Sequence, residues 1–585
     1  MIYNVIKNVQ RRMLVKYTIQ NWDRKYDGIL FLIQRLESML FHYSDDIDRA
    51  PIHNTATLIK EYVKLANDKN IQSFHLEIVA SELSQSIQTD EIIKKKYGNN
   101  FIERIINSLK SNTKETIFYL HSNITLEKYY NWCIEALLDE VKNPKNKKEI
   151  NSYLRKWIAS TIDFGYSSSY IYRNLQNRFT NVVENPQSEI TEFLNQFNLK
   201  AKRFKVYFLF MGSFLKYKEL LEQRLEIIYI DDGYFEKLRK KDNKAFIGCV
   251  NVDAIDSYRA VEFAYARLEI FISFYRVISN RNKEIIGKTA YVRNCETEEE
   301  LYIPVLSEGF KNIEIEPKTD LRTTIDAAIL GCQTKTAETY TSIRKIIMLH
   351  NMALRQVDLE DGFLNLWSVL EIVGKDSKGD SKVEKVINSI LPILQNDFFR
   401  KYFEAIISDL KNALSRDDYK KILLLISEEG DEAYKIACFT LLGKYERERE
   451  ELFEKITLYP NLRQRIYKVY CLRENRDRLF QISEKYSQRL KWHIYRLYRV
   501  RNGIVHAGER DRKIQVLGEH LHIYCDAVIT DIIVKLATKD NLDTIQDVLV
   551  DSQLLVQDKR NYFKESGEVK VEDIKLMMKN SFVNM

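Results

Sequence analysis

The chain has 585 residues, of which 45% are hydrophobic and 30% charged, and 90 basic against 83 acidic side chains leave a formal net charge of +7. That length exceeds what one core can organise and predicts roughly two to four domains, while the composition excludes a fibrous or a disordered chain. The near balance of charge excludes a globally basic nucleic-acid binder, so any basic site has to be local.

Only 18 Gly and 7 Pro interrupt the chain, which predicts long helices and a mainly α, multi-domain fold. The abundance of Lys, Asn, Ile and Tyr is what an AT-rich coding sequence produces, and carries no functional meaning by itself. Seven cysteines are scattered singly, without a CxxC pair, a pattern of reduced thiols rather than of disulfides or a zinc cluster. The start MIYNVIKNVQRRMLV lacks the apolar run of a signal peptide, and the most apolar window, FKVYFLFMGSFL from Phe204, is too short to span a bilayer. A soluble, cytoplasmic protein without a membrane partner is expected.

In chain order, residues 1–230 read as successive amphipathic helices, such as Ile29 to Phe41 and Tyr129 to Val141, with polar joints such as KNPKNKKE from Lys142. Their aromatic residues fit packing, and no catalytic constellation stands out. Residues 231–335 change character. AFIGCVNVDAID reads as a strand leading into a helix from Asp256 to Ser279, and Tyr291 to Arg293, Leu301 to Leu306 and Ile313 to Ile315 read as short strands. A small central α+β module is predicted there. Residues 336–585 return to helices, with GKDSKGDSK from Gly374 as a loop and a helical insertion over about 375–485.

Near the C-terminus, a helix from Gln488 to Gly508 ends in RVRNGIVHAGER. Projected at about 100° per residue, Leu490, Ile494, Leu497, Arg501, Ile504 and Val505 share one stripe, so Arg501 stands where an apolar residue is due. Lys491, Tyr495, Arg499, Asn502 and His506 line the neighbouring face. A structural reading has Arg501 reaching out from the core edge, Asn502 and His506 bonding locally and Gly508 capping the helix, and it stays open. Against it stands the surround. From Lys485 to Gly508 there is no Asp or Glu, while Arg489, Lys491, Arg496, Arg499 and Arg501 alternate with Tyr486, Trp492, Tyr495 and Tyr498. Basic charge interleaved with aromatic planes suits phosphates and unstacked bases, which makes Lys491, Tyr495, Arg496 and Arg499 candidate RNA contacts.

His506 can exchange protons near neutrality, and Arg501 is suited to a phosphate oxygen. Together they could cleave RNA without a metal. His506 takes the 2′-OH proton, that oxygen attacks the adjacent phosphorus, and Arg501 stabilises the charge gathering on the phosphoryl oxygens, giving a 2′,3′-cyclic phosphate and a 5′-OH. On a regular helix, residues five apart diverge by about 140°. The leaving oxygen also needs an acid. A twofold homodimer with a shared cleft would supply both, and is predicted on that ground.

Arg501-Asn502-x-x-x-His506 at a helix end resembles the RNxxxH signature of HEPN ribonucleases, and looks most like the Apea-like branch. That branch also carries a Leu-Trp-x-x-Leu-Glu helix, matched by Leu366, Trp367, Leu370 and Glu371 in FLNLWSVLEIVG. The resemblance covers roughly Thr336 to Lys539, and implies a C-terminal HEPN-like helical bundle that works as a dimeric, metal-independent endoribonuclease. Such enzymes are often toxic effectors of bacterial antiviral or abortive-infection defence. The resemblance makes His506 the base or acid, Arg501 the phosphate-stabilising cation and Asn502 their orienting group. Glu371 becomes a supporting partner for Arg501, with a plain structural ion pair as the other reading. The implied partners are RNA, as tRNA or other single-stranded loops, a second copy of the chain, and a phage-derived trigger sensed by the N-terminal region. A sensor or regulatory role for residues 1–230 is expected only with this ribonuclease reading, since an unrestrained cytosolic ribonuclease would harm its own cell. No cofactor or metal is implied.

The looser spacing of Arg and His recurs at Arg35 to His42 and Arg344 to His350, inside apolar helical runs that read as structural. His520 and His522 lie on nearly opposite sides of a helix and read as packing or exposed residues rather than a metal pair. GxxxxGK[ST], HExxH and GxSxG are absent from the sequence, which leaves nucleotide hydrolysis, zinc proteolysis and serine hydrolysis without support. The alternative to the enzyme is a non-catalytic helical module that binds RNA or a nucleotide, or forms a dimer interface, through the same basic helix.

Overall fold

The computed structural model describes residues 27–40, 51–69, 71–142, 146–179, 185–210, 219, 228–230, 246–279, 286–305, 335–356, 358–508, 511 and 513–579. The fold is mainly α, and the described residues divide into two compact units. One comprises Trp157–Phe179 and Ser188–Glu308, and the other the residues before, between and after these. None of the described helices is long and apolar enough to cross a membrane.

The helices that matter for the site all belong to the larger unit: α1 (Thr55–Ala66), α2 (Ser73–Gln88), α4 (Ala337–Arg355), α5 (Leu359–Val373), α6 (Lys382–Ala413), α7 (Arg476–Asn502), α8 (Ile514–Thr538) and α9 (Ile545–Tyr562); α3 (Ser257–Ser279) belongs to the smaller unit. Several starts are set by side chains. Asn54 and Thr57 make a reciprocal capping box at α1, Ser381 and Glu384 make one at α6, and Asp358 accepts from the Glu360 and Asp361 amides at α5. Each satisfies backbone donors that a helix leaves without partners.

The smaller unit is built on a five-stranded antiparallel sheet in the order β2-β3-β1-β4-β5, where β1 is Lys202–Phe210, β2 Ile228–Ile230, β3 Phe246–Ala254, β4 Thr289–Asn294 and β5 Glu300–Pro304. β1 pairs with β3 along its whole length, from Lys202 opposite Ala254 to Phe210 opposite Phe246, and with β4 on its other edge. Phe204, Val206 and Phe208 face α3 through Ala260, Val261, Ala264 and Leu268, while Tyr207 turns to the other face with Ile247, Cys249 and Tyr291.

The strand expectations at AFIGCVNVDAID, Tyr291 to Arg293 and Leu301 to Leu306 correspond to β3, β4 and β5, and the helix from Asp256 to α3; Ile313 to Ile315 lies outside the described residues. The central strand is the departure. β1 falls within residues 1–230, where only helices were expected, because its alternation is confined to exposed Arg203 and Lys205 around buried Phe204, and Val206 to Phe210 then runs apolar without period-two alternation. The compact units also divide the chain differently from the boundaries at 230 and 335.

In the larger unit one hydrophobic core runs from Phe363, Leu366, Trp367 and Leu370 of α5 through Ile387, Ile390 and Leu394 of α6 to Leu490, Ile494 and Leu497 of α7 and Leu521, Val528 and Ile532 of α8. The interval 375–485 joins that core directly, since α6 packs along α7, α8 and α9, and Tyr434, Phe439 and Ile466 lie in the same cluster.

Candidate functional site

The helix expected from Gln488 is the last half of α7. Leu490, Ile494 and Leu497 are buried, as the projection requires. At Asn502 the winding changes: Gly503–Ala507 forms a π turn, with the Gly508 amide donating to the Gly503 carbonyl, and Gly508 closes it in the left-handed region at φ 60°. A turn closed by i→i+5 bonds holds more residues than an α turn, and such bulges recur at functional sites. One consequence is that Val505 leaves the apolar stripe and is 47% exposed. A second is that the even 100° step assumed between Arg501 and His506 no longer applies, so their divergence within one chain cannot serve as the ground for a shared cleft.

Arg501 is held loosely. Its Nη1 donates to Asn502 Oδ1 at 3.2 Å, and its Nη2 lies 3.8 Å from Glu371 Oε1, with the two side chains 22% and 28% exposed. Glu371 is itself positioned by Trp367, whose Nε1 donates to Oε1 at 2.9 Å. The Trp367 ring is buried, 5.7 Å from that of Tyr498. The structure therefore brings together Arg501, Asn502, Glu371 and Trp367. His506 follows on the π turn with its side chain exposed.

The proposed RNA contacts separate sharply. Lys491 is exposed. Tyr495 is buried, its ring 6.3 Å from that of Phe74 of α2. Arg496 and Arg499 have side chains only 7% and 8% exposed, and both engage carboxylates. Arg496 donates from Nε and Nη2 to Glu61 of α1 at 3.1 and 2.9 Å, and from Nη2 to Glu82 of α2 at 2.8 Å, while Arg499 Nη2 also donates to Glu61. As folded, Tyr495, Arg496 and Arg499 do not present themselves to RNA, which corrects their assignment as surface contacts. The acid-free stretch of sequence takes its acids from helices more than 400 residues away.

Burial raises the cost of ionising Glu61, but Arg496, His53 and Arg499 outweigh it and hold its carboxyl well below the usual range. At Glu82 burial wins over Arg496 and the carboxyl is raised. Burial, reinforced by Arg496, brings His493 down to about 3. Burial, with Arg499, brings His75 down to about 4. His493 Nδ1 shares a 2.8 Å hydrogen bond with the Tyr524 hydroxyl, and its ring lies 4.9 Å from His520.

The looser Arg and His matches are described in part. Arg35 donates to Asn151 at 2.8 Å and His42 lies outside the described residues, whereas His350 faces Asp526. Among the described residues, the group with donors suited to a metal ion is His350, His522 and Asp526, and it does not include His506. Sequence reading missed it because the partner of His522 was sought two residues away, at His520, rather than four away at Asp526. Comparison of the chain with protein-family models, curated proteins and solved structures finds no match.

Proposed function

We propose that this protein is a metal-independent endoribonuclease of the HEPN type, acting as a toxic effector of antiviral or abortive-infection defence. The observation that carries the reading is the contrast at the end of α7. Arg496 and Arg499 are consumed by Glu61 and Glu82, while Arg501, two residues beyond Arg499, keeps a long ionic contact and a partly exposed side chain, followed by an exposed His506 on a π turn.

His506 takes the 2′-OH proton, or returns one to the 5′ leaving oxygen, and Arg501 stabilises the phosphorane charge. Asn502 and Glu371 hold the guanidinium in place between turnovers, with Trp367 fixing Glu371. Acid and base are both needed, so a homodimer contributing two His506 is part of the proposal. The contacts of α1 and α2 with α7 support a regulatory role for the N-terminal region, because whatever binds those helices acts directly on the helix that carries Arg501.

The test is incubation of the purified chain with tRNA and with total RNA in EDTA, followed by analysis of fragment ends. Cyclic phosphates that vanish with His506→Ala support the enzyme. Retarded but uncut RNA supports the non-catalytic binder, and cleavage that survives both His506→Ala and Arg501→Ala removes this site from the reaction.

A further inference from the structure

Away from the Arg501 end, α4 and α8 bring two imidazoles and a carboxylate together. One donor atom from each of His350, His522 and Asp526 lies within 4.8 Å of the others. His522 and Asp526 are four apart on α8 and so stack on one face, one turn over the other. Across from them α4 supplies His350. Its Nε2 lies 2.7 Å from Asp526 Oδ1, and His522 Nε2 lies 3.3 Å from Oδ2. The two rings are 5.1 Å apart and inclined by 31°. Both Nε2 atoms thus converge on the same carboxylate. Close as it is to Oδ1, His350 Nε2 makes no aligned hydrogen bond and is buried from water.

We infer that His350, His522 and Asp526 form a binding site for a divalent transition-metal ion of the zinc class, pinning α4 to α8. Two imidazole nitrogens and one carboxylate oxygen are a three-ligand zinc set with a fourth position left for water. The same donors disfavour magnesium and calcium, which take oxygen ligands. Ligand bonds of about 2.1 Å in a tetrahedral arrangement set donor atoms about 3.4 Å apart, so the 2.7 Å approach of His350 to Asp526 has to open and any wider pair within the 4.8 Å spread has to close toward that value. His522 is buried and the other two are partly exposed, which shields the ion yet leaves a way in. Binding takes neutral imidazoles and an ionised carboxylate, and any proton they hold leaves to solvent. The nearby Cys525 thiol is committed elsewhere, donating to the Leu366 carbonyl at 3.3 Å.

The site shares no residue with the ribonuclease proposal and does not rest on it. The test uses the full chain in a Cys295→Ser, Cys471→Ser background, which removes the two exposed thiols among the described residues as competing ligands. Chelator-stripped protein is titrated with zinc against a chromophoric chelator, with circular dichroism and melting recorded beside it. The expected result is one zinc per chain, a melting midpoint raised by the ion, and affinity lowered at least a hundredfold in His350→Ala and in Asp526→Asn. His350 is only partly buried, so its variant keeps the test valid if His522→Ala fails to fold. Zinc binding by the folded His350→Ala variant as tight as by the parent, or no zinc bound by the parent above background, overturns the proposal. RNA cleavage in EDTA is read separately, so either proposal can fail alone.

Discussion

Arg496 and Arg501 lie on one helix, little more than a turn apart, and have opposite surroundings. Arg496 is enclosed by Glu61 and Glu82 in a buried ionic cluster that also takes Arg499. Arg501 has a 3.8 Å contact with Glu371 and an open flank. The difference comes from what covers each position: α1 and α2 carry acids onto the first, whereas the second lies where α7 gives way to a π turn. A basic residue on a basic helix is thus a stronger candidate for ligand contact where the rest of the chain answers its charge only at long range, as Glu371 does for Arg501.

Substitutions at the two ends should separate catalysis from stability. The largest expected effect is on cleavage: Arg501→Ala should lower the rate about a thousandfold, the loss typical of a transition-state charge partner, with the melting midpoint within about 1 °C of the parent. Equal losses of stability from Arg501→Ala and Arg496→Ala would erase the contrast. Next is Glu61→Ala, which leaves Arg499 without its carboxylate and Arg496 with Glu82 alone. Removing one partner of a buried ion pair costs about 3–5 kcal/mol, read from chemical denaturation.

A smaller effect follows from pH. Because burial holds His493 at about 3, the unfolded chain binds a proton below the ordinary histidine value that the folded chain refuses. The stability from keeping this ring neutral is therefore complete above about pH 6.5 and is lost as pH falls toward 3, by about 2 kcal/mol between pH 7 and 5. Denaturation of the parent and of His493→Gln at both values checks this, and the variant should show a flatter dependence. The smallest effect belongs to Lys491→Ala. An exposed phosphate contact should reduce the slope of log affinity for RNA against log salt by roughly 0.7–0.9 and leave the fold unchanged.

Much of the fold was legible where periodicity carries it. Leu490, Ile494 and Leu497 gave the buried stripe of α7, Phe363 to Gly374 gave α5, and AFIGCVNVDAID gave β3. β1 was hidden because Val206 to Phe210 is apolar at every position and mimics any other buried segment. At the site, the pairing of Arg501 with Glu371 was readable from the Leu-Trp helix. Glu61 and Glu82 were not, since no local pattern tells an acid which arginine the fold will bring to it. The π turn was equally hidden, although two glycines around His506 mark a place where regular winding can give way.

We propose RNA cleavage at the open end of α7 and none along its buried part. The most direct measurement is the cleavage rate of a defined tRNA in EDTA by the parent chain and by His506→Ala, with both shown to melt at the same temperature. A loss of at least a hundredfold is expected in the variant, with cyclic-phosphate ends from the parent alone. Equal rates from two equally folded proteins would contradict it.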